Sequence, residues 1–272
     1  MNKAFLYLFL LISIVGYSQK KEIEILYSGF TSVDEKKYPG ATIYSKDRDG
    51  LVKIYHDGAI LTCNIALVYQ KRNLFKAFGN VTIHQGDTIT QKSNYVDYNG
   101  NTKKALSWGN VVLKDPKMTL KTDTLHFDRK NQILHYKQYA TIKDATNTLK
   151  SKIGNYFLKE KKFKATTKVE VKNPDRLLES NHLDYYTNTA YAYLYGPSTI
   201  TGKDNTIYTE KGFYNTKDEI SHFVKNAKLQ FPTRTIFGDS LYYNKAKEFA
   251  SATHNVVMID SSKSYLAKGN YA

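Results

Sequence analysis

The sequence predicts an all-β protein: a repetitive two-sheet β-jellyroll or solenoid of about eight units of 29 residues around an apolar lumen. Strand-like alternation of apolar and polar residues recurs at a fixed spacing, and no segment shows a sustained 3.6-residue period of helical length. The 272 residues include 23 tyrosines and 13 phenylalanines, which fit strands better than helices. A hydrophobic fraction of 41% is sufficient for a folded core.

The first repeat is a pair of apolar or small residues two positions apart, returning every 29 or 30 residues. Residues two apart lie on the same face of a strand, so these pairs predict one inward wall. The first members are Val52, Val81, Val111, Ala140, Val169, Ser198, Ala227 and Val256. The second members are Ile54, Ile83, Leu113, Ile142, Val171, Ile200, Leu229 and Met258.

A second, aromatic series occupies the other half of each unit. Its members are Tyr69, Tyr98, Phe127, Tyr156, Tyr185, Tyr214, Tyr243 and Tyr271. The residues two positions earlier alternate between aliphatic residues and the glycines Gly154, Gly212 and Gly269. These glycines either leave room for a ligand or accommodate aromatic neighbours, and the sequence leaves both open. A weaker third series runs from Ala77 to Ala250, and three series in phase establish a structural repeat.

Turn sequences such as "KDP" and "KNP" separate the series, so each unit is expected to form two or three short strands. At about 4.8 Å per stacked unit, eight units predict a length of roughly 40 Å. The chain stops in mid-unit at "YLAKGNYA" without a polar cap. We therefore expect either that it is a fragment or that its last strand pairs with a partner.

The N-terminus predicts export. A basic Lys3, an apolar run from Ala4 to Val15, and small residues at Gly16 and Ser18 are typical of a signal peptide cleaved after Ser18; an uncleaved anchor is the alternative. The expected division is a signal peptide at 1–18, an N-terminal segment at 19–42, and the repeats at 43–272 with the last unit incomplete. The single cysteine, Cys63, excludes an intramolecular disulfide and is interpreted as a buried apolar group.

The formal net charge of +15 favours anionic partners. Export argues against nucleic acid, which leaves anionic lipid, phosphorylated glycolipid or acidic polysaccharide. A basic surface that is merely solvated is the other interpretation.

No catalytic constellation emerges, so we predict no enzyme activity, no cofactor and no metal site. The seven histidines fall at different phases of the repeat. The best acid pair is Glu210 with Asp239, expected on neighbouring rungs about 5 Å apart, near the separation in retaining glycosidases. We favour a solvated polar series as the explanation of these acids over a catalytic pair.

The stretch "GLVKIYHDGAILTCNIALVYQKRNLFKAFGNVTIHQGDTI", followed by "YVDYNGNTKKA" and "NVVLKDPKMTLKTDTLHFD", resembles the OstA-like (organic-solvent-tolerance) family. That family includes the periplasmic lipopolysaccharide-transport protein LptA and the N-terminal domain of LptD. The resemblance spans roughly Ile43 to Ala272 and depends on the "GNV" and "GDT" patterns together with the period.

The resemblance implies a periplasmic β-jellyroll whose lumen shelters lipopolysaccharide acyl chains on the way to the outer membrane, with the phosphates outside near lysines. The implied lining is the Val, Ile, Leu and Met members of the first series and the aromatic series from Tyr69 to Tyr243. Partners would be other transport-bridge proteins, or a second copy through edge-strand pairing, with association to the outer membrane through them. The alternatives are a structural or adhesive solenoid and a secreted binder of acidic polysaccharide, whose aromatics should point outward.

Overall fold

The computed structural model describes residues 22–86 and 88–272, and these residues form an all-β protein, as predicted. The predicted signal peptide, 1–18, lies outside the described residues. Among the described residues, no helix has both the length and the apolar character needed to span a membrane. The described residues form 24 strands and two single 3₁₀ turns, Gln70–Arg72 and Lys245–Lys247.

The strands follow one another with short turns between them. They are β1 (Glu24–Tyr27), β2 (Phe30–Val33), β3 (Thr42–Ser45), β4 (Val52–His56), β5 (Ala59–Cys63), β6 (Ile65–Tyr69), β7 (Leu74–Gln85), β8 (Ile89–Asn99), β9 (Lys104–Lys114), β10 (Thr119–Asp128), β11 (Ile133–Tyr136), β12 (Ala140–Lys143), β13 (Thr148–Ser151), β14 (Ile153–Phe157), β15 (Lys162–Lys172), β16 (Leu177–Tyr186), β17 (Tyr191–Thr201), β18 (Thr206–Asn215), β19 (Ile220–Lys225), β20 (Ala227–Gln230), β21 (Arg234–Gly238), β22 (Ser240–Asn244), β23 (Phe249–Asp260) and β24 (Tyr265–Tyr271).

All 24 strands belong to one hydrogen-bonded antiparallel sheet, which bends along its middle. The bend is a row of β-bulges. In β7 the register to β8 shifts between Phe78 and Val81, where Gly79 and Asn80 have φ values of +72° and +48°. A bulge of this kind turns the strand, so its two halves enter different half-sheets. The recurring "GNV" pattern is therefore the bend itself, and it returns at Gly109 and Asn110 with φ values of +76° and +56°.

We call the two parts the valine half-sheet and the tyrosine half-sheet, after the inward series that each carries. In the valine half-sheet, β4 pairs with β5, β5 pairs with the C-terminal half of β7, and that half pairs with the N-terminal half of β8. The same alternation of C-terminal and N-terminal strand halves continues from β9 to β24. In the tyrosine half-sheet, β3 pairs with β6, β6 pairs with the N-terminal half of β7, and that half pairs with the C-terminal half of β8. N-terminal and C-terminal strand halves then alternate in the strands that follow.

The stack is longer than the sequence predicted. Each unit of 29 residues forms a bent hairpin and adds two strands, not one, to each half-sheet, as β7 with β8 and β15 with β16 show. At about 4.8 Å per strand, eight units extend roughly 77 Å, about twice the predicted 40 Å. The strands β1 and β2, which lie in the predicted N-terminal segment, pair with β4 and β3 in the same sheet.

The hydrophobic core lies between the two half-sheets. It divides into a cluster from Ile23 to Ala105 and a larger cluster from Val111 to Val256, and Phe127 packs against both. The buried Gly154 accommodates an aromatic neighbour, because a Cβ there would meet the Tyr136 hydroxyl. Gly212 is half-buried, and a Cβ there would overlap the backbone oxygen of His222 and lie 2.9 Å from Phe223 Cδ1.

Candidate functional site

The interior contains most of the residues predicted to line it. Buried members of the predicted lining are Val52, Ile54, Val81, Val111, Leu113, Ile142, Val169, Val171, Ile200, Leu229, Val256, Tyr98, Tyr156, Tyr185 and Tyr214. Half-buried members are Ile83, Met258, Tyr69, Phe127 and Tyr243. The structure thus brings the first series and the aromatic residues from Tyr98 to Tyr243 to one apolar interior, and their contact with lipid stays a prediction. Tyr69 does not share this interior: it pairs with Leu74 on the outer face of the sheet, whereas its neighbour Val68 pairs with the buried Phe75 and faces inward.

The middle of this interior is closely packed. The rings of Tyr156 and Phe163 stack with their centroids 4.1 Å apart and their planes 13° apart. Tyr136 is fully buried, and its hydroxyl lies 2.6 Å from Ser151 Oγ. Leu125 and Leu134 are also fully buried, so aromatic and aliphatic side chains fill the space between the half-sheets here.

Cavities occur toward both ends of the interior. The first has a volume of about 50 Å³ and is lined by residues of β4 to β10, including Ile54, Ile83, Leu113 and Phe127. The second has a volume of about 60 Å³ and lies among residues of β18 to β23 and Ala272. An engineered cavity that takes up benzene measures about 150 Å³. Neither cavity therefore accepts an acyl chain unless the half-sheets separate.

A line of polar contacts joins the half-sheets along the side opposite the bulges; we call this line the seam. At its centre the Tyr185 hydroxyl donates to Asp144 Oδ2 at 2.5 Å and accepts from Asn147 Nδ2 at 2.9 Å. One unit earlier, the Tyr156 hydroxyl donates to Asp115 Oδ2 at 3.2 Å, and Lys161 lies 3.8 Å from the same carboxylate. Each tyrosine is inward-facing, so one side chain lines the interior and also closes it.

The seam continues in both directions with different chemistry. Toward the N-terminus, the Tyr98 hydroxyl lies 2.9 Å from His56 Nδ1, and Arg129 Nη1 donates to that hydroxyl at 3.0 Å. Lys103 and Asp57 form an ion pair of 2.5 Å beside them. Toward the C-terminus, Arg176 and Glu219 form a nearly buried ion pair of 3.5 Å. Polar pairs thus replace the tyrosine–aspartate bonds at the ends of the seam.

Phe127 is the member of the aromatic series that has no hydroxyl, so it cannot form a hydrogen bond in the seam. At this level the seam contact is an amide pair, Gln85 Nε2 to Gln132 Oε1, at 3.5 Å. Phe127 also lines the first cavity. A long, uncharged contact of the seam and the N-terminal cavity therefore occur at the same level.

Outside the seam lies an open groove of about 870 Å³. The turns at 115–119, 143–146 and 187–190 form its walls. Lys117, Lys143 and Lys217 line it together with Asp115 and Asp144. The groove combines polar and apolar surface, and Tyr185 forms part of its floor, so only the seam separates it from the core.

Burial determines the titration of the inward tyrosines. Desolvation raises the pKa of Tyr136 and of Tyr214 to about 12. Desolvation raises the pKa of Tyr185 and Tyr156 further, and the neighbouring Asp144 and Asp115 carboxylates add to the increase. These phenols are therefore neutral across the whole physiological pH range.

Two polar series were not recognised in the sequence. Beside most of the bulges a Ser or Thr faces inward and donates to the carbonyl two residues later, as Ser151 does to Ile153 O at 3.2 Å and Thr209 to Lys211 O at 2.8 Å. Cys63 occupies the equivalent position in β5. The turn residues Asp115 and Asp144 form the second series, and each lies 41 residues before the tyrosine whose hydroxyl it accepts from. Both sets follow the 29-residue period, which is the signal that could have revealed them.

The acid pair considered from sequence does not occupy neighbouring strands. Glu210 lies on β18, whereas Asp239 precedes β22, two strands along the half-sheet and roughly 10 Å away. Each acid instead accepts from the asparagine of the adjacent bulge, Asn226 at 2.9 Å and Asn255 at 2.8 Å. The described residues contain no group of His, Cys, Asp and Glu able to hold a metal ion. Burial raises the pKa of the Cys63 thiol to about 12.

A comparison with models of known families shows which family this chain belongs to. The model of the family described as OstA-like protein matches residues 20–181 and 164–236, well over half of the chain. The chain belongs to the OstA-like family. The resemblance inferred from the "GNV" pattern is thereby confirmed, and that pattern marks the bend of this family member.

No curated protein matches this OstA-like chain. Among solved structures, it is similar to LptH, described as the LptA homologous periplasmic component of the conserved lipopolysaccharide transport device from Pseudomonas aeruginosa. The identity is 16% over 50% of this chain and 82% of that one, with a TM-score of 0.25. A TM-score this low carries no structural argument.

Proposed function

We propose that this OstA-like protein is a periplasmic component of lipopolysaccharide transport that shelters acyl chains between its two half-sheets. The observation that carries the proposal is the continuous apolar interior, which is about 77 Å long. The chain belongs to the OstA-like family, and its resemblance to that family implies this transport. Each acyl CH₂ group gains about 0.8 kcal/mol when buried. An interior lined by Val, Ile, Leu and aromatic side chains supplies that environment along its whole length.

Entry of acyl chains requires the half-sheets to separate, because the cavities hold only about 50 and 60 Å³. The seam is the place where separation costs least. It is held by side-chain contacts, whereas the opposite edge is held by continuous strands through the bulges. Opening at the seam exposes the interior while the backbone ladder stays intact.

The groove along the seam suits the polar part of such a lipid. Acyl chains passing through the seam leave their phosphates and sugars outside, beside Lys117, Lys143 and Lys217. A Lys ammonium is a compact point charge that attracts phosphate without strict geometry. The formal net charge of +15 adds a general attraction for anionic lipid.

The proposal includes export through the predicted signal peptide and assembly with partners by edge-strand pairing. Exposed sheet edges pair readily with further strands. Other transport-bridge proteins or a second copy of the chain would then lengthen the apolar interior and carry the lipid toward the outer membrane.

The closely packed middle favours a second candidate function, a structural solenoid that holds no lipid. Tyr136, Tyr156 and Phe163 fill the space that an acyl chain would need. The two candidates differ in whether this packing opens when lipid is present.

Native mass spectrometry of the purified protein with hexa-acylated lipid A distinguishes them. Transport predicts a retained complex, and fully deacylated lipid A should give none. Ile83→Asn places an amide in the first cavity and should weaken the complex, whereas Thr82→Asn, on the outward neighbour, should leave it unchanged. Equal retention of acylated and deacylated lipid A would exclude binding through acyl chains.

A further inference from the structure

Aromatic side chains also cover part of the outer surface, on the solvent face of the tyrosine half-sheet. Tyr186, Tyr191, Tyr193 and Phe213 extend outward from β16, β17 and β18, alternating with buried residues such as Tyr185. We call these four residues the outer aromatic cluster. None of them belongs to the inward series predicted from the sequence.

The rings of the cluster form one connected surface. Tyr191 and Tyr193 are nearly parallel, with centroids 6.1 Å apart and planes 23° apart. Phe213 lies 5.5 Å from Tyr191, and Tyr186 lies edge-on to Tyr193 at 5.7 Å. Tyr193 is 39% exposed. The other three residues are half-buried, so the cluster as a whole presents part of its ring surface to solvent.

Where β17 and β18 continue into the valine half-sheet, their outer face carries no such cluster. The outward residues of β17 and β18 there are Thr199, Thr201 and Thr206, with a single tyrosine, Tyr208. A preference of strands for aromatic residues would act on both outer faces equally. Concentration on one face indicates that contact with a partner, not strand formation, accounts for the cluster.

Polar groups beside the cluster have unused hydrogen-bonding capacity. His182 Nε2 and Asp184 Oδ1 are buried atoms without a hydrogen-bond partner in the protein, and they lie 3.9 Å apart. Both residues lie on β16 with Tyr186. Lys162 Nζ lies 5.9 Å from the centre of the Tyr186 ring and 2.7 Å from Glu160. The His182 side chain is 35% exposed and the Asp184 side chain 16% exposed, so a polar ligand lying on the cluster would contact both.

We propose that the outer aromatic cluster binds a saccharide. Pyranose rings present C–H groups on their faces and hydroxyls at their edges, which match exposed aromatic faces surrounded by an imidazole, a carboxylate and an ammonium group. A tyrosine side chain offers an apolar ring face and a polar hydroxyl, and this combination suits a hydrated, polar ligand. This site goes beyond the proposed function, because it needs no acyl chain and lies on the opposite surface of the sheet from the interior.

Saturation-transfer NMR on the full protein tests the proposal, using core oligosaccharide freed from lipid A by mild acid as the probe. We expect saturation of the sugar ring protons from the wild-type protein. Tyr193→Ala should weaken binding about fivefold to tenfold, since one aromatic contact contributes about 1 kcal/mol. Tyr208→Ala, on the outer face of the valine half-sheet, is the matched control and should bind as the wild type does.

Three outcomes would overturn the proposal: no saturation transfer to the oligosaccharide, an equal loss in both variants, or a Tyr193→Ala defect only in binding another protein. Dextran as a second probe separates a general glycan site from one selective for the lipopolysaccharide core, and binding of either supports a saccharide site. Because the oligosaccharide has no acyl chains, its failure to bind leaves the proposed transport function untouched. Loss of lipid A binding likewise leaves the saccharide site untouched.

Discussion

The hydroxyl of Tyr185 donates a 2.5 Å hydrogen bond to Asp144 Oδ2, and this contact joins the two half-sheets across the seam. Tyr185 is only 1% exposed, so the residue belongs to the interior and to its closure at the same time. Asn147 donates to the same hydroxyl at 2.9 Å. Any opening of the interior at this level must break both bonds.

Tyr185→Phe should destabilise the protein by about 1–3 kcal/mol, because Asp144 and Asn147 each lose a partner. The free energy of unfolding in urea measures this change. Amide hydrogen exchange should also accelerate in the turn at 144–147. Tyr208→Phe is the control, since its hydroxyl makes only a 3.4 Å contact with Glu210. Equal effects of the two substitutions would contradict the role of the seam.

Phe163→Ala should cost about 3–5 kcal/mol, because its ring is fully buried and stacked on Tyr156 at 4.1 Å. Ile83→Ala should cost less than half as much, since Ile83 is only half-buried and lines an existing cavity. Urea denaturation of both variants checks the difference. If the two losses were equal, the contrast between a packed middle and looser ends would be wrong.

Gly154→Ala should destabilise the protein by about 2 kcal/mol or more, because the added methyl group would overlap the hydroxyl of Tyr136. Tyr136 cannot retreat easily, since that hydroxyl lies 2.6 Å from Ser151 Oγ within the core. Gly58→Ala, at a turn with φ of +80° and no neighbour within 4 Å of the added carbon, separates backbone strain from overlap. Thermal unfolding should show the larger loss for Gly154→Ala.

Stability should fall steeply at alkaline pH. Burial raises the pKa of Tyr136 and Tyr214 to about 12, whereas tyrosine in an unfolded chain titrates near 10. The folded protein therefore binds more protons than the unfolded chain above about pH 10, and its stability decreases as pH rises from about 10 to about 12. Urea midpoints at about pH 8, 10 and 11 measure the decrease. Tyr136→Phe should make it shallower, and an unchanged midpoint would contradict the burial of these phenols.

Strand identity and the inward direction of residues such as Val81 and Tyr185 could be predicted because alternation and the 29-residue period are local properties of the sequence. The number of strands per unit could not. It depends on the bulge at Asn80, where one strand enters both half-sheets. The bulge appeared in the sequence only as a repeated "GNV".

The seam, the cavities and the outer aromatic cluster were also beyond prediction from the sequence. The seam depends on which turns face each other, and Tyr185 and Asp144 are 41 residues apart. The cavities depend on how well side chains of different sizes fit, as Gly154 and Tyr136 illustrate. The outward tyrosine Tyr193 has no Tyr, Phe or Trp counterpart at the 29-residue spacing, so the repeat gives no indication of it.

The most direct test of the proposed function is in-cell photocrosslinking with a photoreactive residue at one position at a time. The inward positions are Ile83, Ile142, Ile200 and Tyr185, and the outward controls are Thr82 and Lys150. Transport through the interior predicts lipopolysaccharide adducts at the inward positions and none at the controls. A folded, exported protein that forms no adduct at any inward position, including Ile142 and Ile200 in the interior, would contradict the account and identify a filled structural solenoid.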